Sequence, residues 1–402
     1  MHRDIPRLDI LDMIVLGRRL DEGGHPSGIL RRRRDKPSVR SRRVKCTARP
    51  AALRITASPL WVGVLVLGLL SCAPVRAEEL RGIRFELPGL FAVASPEQIV
   101  SNVASIRFNA ILCTVRPEMT TDPRFRELLS RARSRGIAVH AVLSTMVPGW
   151  TASVPAGTEA DTLAVNSSGR RVSEWLCPSR PRVRGWAVEL ACALARLGVD
   201  GVQLDYIRFG GPDLCFCDLC KKNSAAWLPS HPGRTWEDWR DAVITSLAGE
   251  VRDAIRAVNP KIQFSCSTWT VGEGQRRTYL TPEGEGYGWR QGQDFTGLAA
   301  ITEFLRPMLY SCMLREDAGW IVRMAGLAVR NAGGKAGIVV GVALTIEEEW
   351  KQCQLPRGEL RKIVKGIRGS GALGLAIWGY PSLFDPRYKD LGFLDEVRAL
   401  FP

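Results

Sequence analysis

The chain has 402 residues, 45% of them hydrophobic and 24% charged, which is ample material for a large buried core, and no apolar run is long enough to span a bilayer. Its formal charge of +15 suggests nucleic acid until it is divided: residues 1–77 hold 16 Lys/Arg against 6 Asp/Glu, and the remaining 325 residues carry only +5. That remainder has no concentrated basic patch interleaved with aromatics, which argues against a nucleic-acid partner.

In chain order, the first recognisable element is Leu60 to Leu70, an uninterrupted run of 11 apolar residues preceded by Arg49 and Arg54 and followed by Val75-Arg76-Ala77. It reads as an export signal: the run is too short for a transmembrane helix, and Val-Arg-Ala satisfies the small-x-small cleavage rule. Leu69-Leu70-Ser71-Cys72 also fits a bacterial lipobox, in which Cys72 would be acylated and anchor the protein to a membrane. Simple cleavage and lipidation both stay open, so the expected location is outside the cytoplasm: periplasmic, membrane-anchored or secreted. The basic stretch up to Arg49 is longer than a signal needs, and the true start is expected downstream of Met1. Residues 1–77 are therefore set apart from a folded domain at 78–402.

From Gly82 onward, short β-branched or apolar runs alternate with amphipathic stretches. Strands are predicted at Ile83 to Leu87, Ala110 to Val115, Ile137 to Ser144, Val202 to Phe209, Ile262 to Trp269, Phe304 to Ser311, Ile338 to Leu344 and Leu373 to Trp378. Helices are predicted at Pro96 to Ile106, Pro123 to Arg135, Pro181 to Leu197, Trp236 to Val258, Trp320 to Asn331 and Arg357 to Ile367. Asp122 and Thr235 sit where N-caps belong, and Gly136 and Gly198 where helix C-termini favour left-handed residues. Eight alternations without a dividing linker predict one α/β domain, a single (β/α)8 TIM barrel with long loops after strands 3, 4 and 5.

In such a barrel, chemistry sits beyond the C-terminal ends of the strands. Asp205 falls there. The period of two in Val-Gln-Leu-Asp places it on the same face as Gln203, in an element otherwise apolar. A buried carboxylate costs several kcal/mol unless supported, so such a residue marks either a structural bond to the next loop or a reacting group. Glycosidic cleavage usually needs a second acid. Asp294, in Tyr287-Gly-Trp-Arg-Gln-Gly-Gln-Asp294, is the choice for proton donor, with Glu283, Glu285 and Glu273 as other acids of that segment. Glu303 precedes strand six and reads as structural, and Glu347 to Glu349 read as acids favouring the N-terminus of a helix. Arg208, Tyr287 and the strand-end aromatics Trp269, Tyr310, Trp378 and Tyr380 suit sugar binding, because sugars present apolar C–H faces that stack on rings. His140 reads as a hydrogen-bonded core histidine.

The loop after strand four contains Cys215-Phe-Cys217-Asp-Leu-Cys220, and Cys177 in the preceding loop can supply a fourth thiol. The set suits a structural zinc; one disulfide with free thiols is the competing reading. No cofactor is expected for the chemistry, because no dinucleotide fingerprint, phosphate-binding Gly-rich loop or nucleophile elbow is present.

Asp200-Gly-Val-Gln-Leu-Asp-Tyr-Ile-Arg-Phe209, the Cys215 to Cys220 cluster, Leu176-Cys-Pro178, Gly292-Gln-Asp294 and Pro307-Met-Leu-Tyr310 together resemble the bacterial glycosyl-hydrolase-like barrels, including the family-ten-like lipoproteins. Such proteins look like relatives of retaining α-glycosidases, whose strand-four nucleophile would map onto Asp205. The cysteine element is similar to the zinc clusters of some barrel β-galactosidases. Gly210-Gly211 stand where these segments often continue with Pro, and no Glu ends strand five, so the resemblance names no proton donor. The resulting expectation is an exported glycoside hydrolase acting on a poly- or oligosaccharide. The alternative is a non-catalytic polysaccharide-binding or envelope lipoprotein on a hydrolase-like barrel, and a second strand-end acid beside Asp205 separates the two. A polysaccharide deacetylase would need His/Asp metal ligands, and of only 4 His, His2 and His25 precede the signal.

Overall fold

The computed structural model describes residues 78–147, 160–271, 278–279, 291–348 and 351–402. Eight parallel strands close into a barrel: β1 (Leu80–Glu86), β2 (Ala110–Thr114), β3 (Ala138–Ser144), β4 (Gly201–Asp205), β5 (Gln263–Thr268), β6 (Phe304–Pro307), β7 (Gly337–Ala343) and β8 (Gly374–Trp378), each paired with its neighbours in sequence and β8 with β1. A helix follows each strand: α1 (Pro96–Ser105), α2 (Pro123–Ser134), α3 (Pro181–Leu197), α4 (Trp236–Val258), α5 (Phe295–Ala299), α6 (Ala318–Ala332), α7 (Glu359–Ser370) and α8 (Phe393–Leu400). The architecture is a (β/α)8 TIM barrel.

The local signals act as expected at the helix ends. The Asp122 side chain accepts from Arg124 N, and Thr235 and Asp238 form a capping box at the start of α4. Helix α3 ends on Gly198 in the left-handed region. Glu303 is structural, bonding Phe264 N at 2.5 Å and pairing with Arg256.

Each strand has two buried faces, and they differ. The outward face packs Ile83, Phe85, Ile111, Val139, Leu204, Phe264 and their like against the helices. The inward face is apolar only at the N-terminal end, where Ala110, Leu112, Val142, Phe304, Val339 and Ala376 cluster with Leu80 and Leu373. Towards the C-terminal ends it becomes polar, with Arg84, Thr114, Gln203, Asp205, Ser265, Ser267 and Arg306 all buried. A barrel interior is packed rather than hollow, so these groups must satisfy one another or a ligand.

Two expectations change. Glu347 and Glu348 do not open a helix: Thr345–Glu348 pairs antiparallel with Lys351–Gln354, because the β-branched Thr345-Ile346 start a hairpin, and α7 begins only at Glu359. Glu349 lies outside the described residues. His140 is buried in the core beside Phe304, but its Nδ1 has no hydrogen-bond partner among the described residues, and burial pushes its pKa down to about 4. The ring is neutral packing rather than a hydrogen-bonded one. The export signal and Cys72 lie outside the described residues, and no helix among those described is long and apolar enough to cross a membrane.

Candidate active site

Asp205 is the last residue of β4 and turns into the barrel, where it is 6% exposed. One carboxylate oxygen, Oδ2, accepts from Arg84 Nη2 at 3.2 Å and lies 3.8 Å from Arg306 Nη2; the other accepts from Tyr206 N at 2.9 Å. Its carbonyl accepts from Thr145 N and Oγ1, which clamps the strand end to β3. Two opposite charges and a backbone donor compensate a carboxylate that burial alone would penalise by several kcal/mol. Tyr206, next along, has φ +51°, a conformation that costs a non-glycine residue about 1 kcal/mol or more and that turns the chain out of the barrel.

The two arginines are themselves held. Arg84 donates to Phe85 O and to Thr114 Oγ1, and its guanidinium faces the Trp378 ring at 4.9 Å. Burial pulls its pKa down, with Asp205 opposing. Arg306 donates to Gln203 Oε1, Ser267 Oγ and the Tyr310 hydroxyl at 3.0–3.2 Å. Gly341 makes room for it: a Cβ there would meet Arg306 Nη1 at 2.8 Å. The expected residues Asp205, Tyr310 and Trp378 are thus brought together by two arginines.

Arg208 and Trp269 form a second group. The Arg208 guanidinium lies over the rings of Trp175, Tyr206 and Trp269 at 4.8, 5.0 and 5.2 Å. Trp269 is fixed by its indole N–H on Gln291 Oε1 and its backbone N–H on Gln293 Oε1. Gln293 donates in turn to the Ile207 and Ser267 carbonyls, linking this group to the first. The glycine after Phe209 has its reason here, because a Cβ on Gly210 would come within 2.4 Å of the Trp175 ring.

Asp294 is the N-cap of α5: its Oδ1 accepts from Gly297 N at 3.0 Å and Thr296 Oγ1 at 2.9 Å. Capping gives this acid a structural role, since a carboxylate bonded by a backbone N–H and a hydroxyl serves as an acceptor. Tyr380 is also structural, buried against Phe85 and Phe384 with its hydroxyl accepting from Asn102. Tyr287, Glu273, Glu283 and Glu285 lie outside the described residues.

One acid at the mouth was not foreseen. Glu86 ends β1, two residues beyond Arg84 and hence on the same inward face, and it is exposed at the rim. Crowding by the protein pushes its carboxyl up from the ordinary value; Arg84 and Arg116 oppose this, and the charge of Asp205 adds to it. Among the described carboxyls it is the one so raised. The rule that singles out Asp205, a charged residue alternating within an apolar strand, also describes Arg84, Glu86 and Arg306.

The four predicted thiols converge. Cys177, Cys215, Cys217 and Cys220 are all buried with their sulfurs within 4.8 Å of one another, and among the described residues they are the one group able to hold a metal ion. Val165 N donates to Cys215 Sγ at 3.2 Å, and Phe216 N to Val165 O at 2.7 Å. The cluster thereby joins the loop after β4 to the hairpin of Leu163–Val165 with Arg171–Leu176 that precedes α3. A disulfide is present as well, Cys312–Cys353, tying the short helix Ser311–Leu314 beyond β6 to the hairpin beyond β7.

A polar mouth with a paired carboxylate and ring-lined walls, on a TIM barrel, defines a protein of the glycosidase-like class. The family model for glycosyl hydrolase-like 10 matches residues 118–321, and the chain belongs to that family. No curated protein matches it. Among solved structures it is similar in fold to a β-galactosidase from Rahnella sp. R3 (15% identity, TM-score 0.58, 81% of this chain and 57% of that one). It is similar too to alpha-L-fucosidase isoenzyme 2 from Paenibacillus thiaminolyticus (14% identity, TM-score 0.56, 80% of this chain and 49% of that one). The chain spans about half the length of these structures.

Proposed function

We propose that this chain is an exported glycoside hydrolase that cleaves a poly- or oligosaccharide, with Asp205 as nucleophile and Glu86, rather than Asp294, as proton donor. The observation that carries it is the pairing at the mouth: a carboxylate held by Arg84 and Arg306, and near it a second carboxyl pushed towards its protonated form. Asp205 would attack the anomeric carbon as the glycosidic bond breaks. The departing oxygen takes the proton of Glu86, and water activated by Glu86 then releases the sugar. Trp378 and Tyr310 flank this centre, and Arg208 and Trp269 extend it outward. Asp205→Asn should abolish hydrolysis of whichever polysaccharide a screen identifies while leaving the fold intact; full activity in that variant refutes the assignment.

A zinc ion on Cys177, Cys215, Cys217 and Cys220 would be structural, since four buried thiols suit a closed tetrahedral site without a position for substrate. Export, with cleavage after Ala77 or lipidation at Cys72, is supported by the Cys312–Cys353 disulfide, which belongs to an oxidising compartment. A second reading, a non-catalytic polysaccharide-binding lipoprotein on the same barrel, is favoured by one observation: both oxygens of Asp205 are already bonded and only 6% of the residue is open.

A further inference from the structure

Among the described residues, four arginines are buried: Arg84, Arg208, Arg240 and Arg306. Three of them donate hydrogen bonds to acceptors of the protein. Arg84 bonds Asp205, Thr114 and Phe85, Arg306 bonds Gln203, Ser267 and Tyr310, and Arg240 bonds the Gly211 and Pro212 carbonyls. Arg208 has no such acceptor among the described residues. Among the described residues its five N–H donors face the rings of Trp175, Tyr206 and Trp269, and 6% of the residue stays open. Ring faces attract the cation but satisfy none of its directional bonds, which leaves its donors to the opening at the mouth.

The three rings come from three successive loops: Trp175 from the hairpin after β3, Tyr206 from the turn after β4, and Trp269 from the segment after β5. Gln291 binds the Trp269 indole and also accepts from Phe209 N at 2.8 Å, so the box is rigid before any ligand arrives. Charge points the same way. Among the described residues, Asp205 is the buried acid that Arg84, Arg208 and Arg306 share electrostatically, with Glu86 at the rim pushed towards its neutral form and His140 neutral.

We infer that Arg208 is a specificity residue that receives the carboxylate of an acidic sugar, a uronic acid type of residue, in the saccharide held at this mouth. The inference rests on the glycosidase reading and names its substrate class. A planar carboxylate matches the guanidinium fork in two parallel bonds, the sugar's C–H face stacks on the half-buried Trp269, and its negative charge offsets part of the surplus.

The test uses uncleavable sulfur-linked oligosaccharides of galacturonate, glucuronate and mannuronate, each beside its carboxyl-reduced counterpart, titrated calorimetrically into the wild-type protein. At least one acid should bind about 10- to 100-fold tighter than its reduced form. Arg208→Met should erase that preference and Arg208→Lys restore part of it, with melting curves confirming that both variants fold. The inference is overturned if no acid outbinds its reduced partner, absence of all binding included, or if Arg208→Met keeps the preference. Failure of the glycosidase reading is separate: it shows as no cleavage of the oxygen-linked counterparts by the wild-type protein, whatever the binding preference.

Discussion

Replacing Asp205 by Asn removes one charge and almost no volume, and the structure sets what this does to stability as well as to chemistry. Arg84 and Arg306 are 2% and 0% exposed, so the variant leaves two buried cations without their shared anion. Breaking a buried ion pair costs about 3–5 kcal/mol. The lower end applies here, because Asn keeps an acceptor for Tyr206 N, and Arg306 retains its bonds to Gln203, Ser267 and Tyr310. With unfolding entropy near 2.1 cal/mol/K per residue over about 325 residues, a loss of about 3 kcal/mol lowers Tm by about 4 °C. Loss of the nucleophile should lower kcat/KM by about 10³-fold or more. Reducing-end release from a polysaccharide panel and a thermal melt, run on the same preparations, read both effects. A variant that melts about 4 °C lower yet hydrolyses like the wild type refutes the catalytic role and leaves Asp205 a structural counter-ion.

Glu86→Gln should lose the alkaline limb of the pH–activity profile. The raised carboxyl must be protonated to act, so wild-type activity falls as pH rises through that raised value, and an unchanged limb in the variant rules Glu86 out as donor. Purified protein should carry one zinc per chain by metal analysis, and Cys217→Ser should lose it together with several degrees of Tm; a metal-free wild type that is equally stable removes the site. Cys353→Ser opens a loop of 41 residues, a chain-entropy loss of about 4 kcal/mol, readable as a lower melting temperature; equal melting of variant and parent would show that the crosslink does not form.

Much of the barrel is legible because strand and helix patterns are local. All eight strands fall within a few residues of their apolar runs, and the caps at Asp122 and Thr235 follow from residue type alone. Asp205 stands out as a polar residue on a period-two face, and the cysteine spacing with Cys177 anticipates the thiol cluster. Asp294 shows the limit of residue type: an acid three residues before Gly297 caps a helix as readily as it donates a proton, and the cap itself is seen only in the folded chain.

What the sequence determined by itself is therefore the repeating strand-helix order, the carboxylate in β4 and the set of thiols. What tertiary structure alone decided is the company each keeps. Arg84 lies 121 positions from Asp205 and Arg306 lies 103 from Gln203, and nothing local to any of them names its partner. Their meeting is a consequence of closing the ring: β1 and β6 are carried to the same interior as β4, and in a space too small for water to solvate each charge the side chains must answer one another.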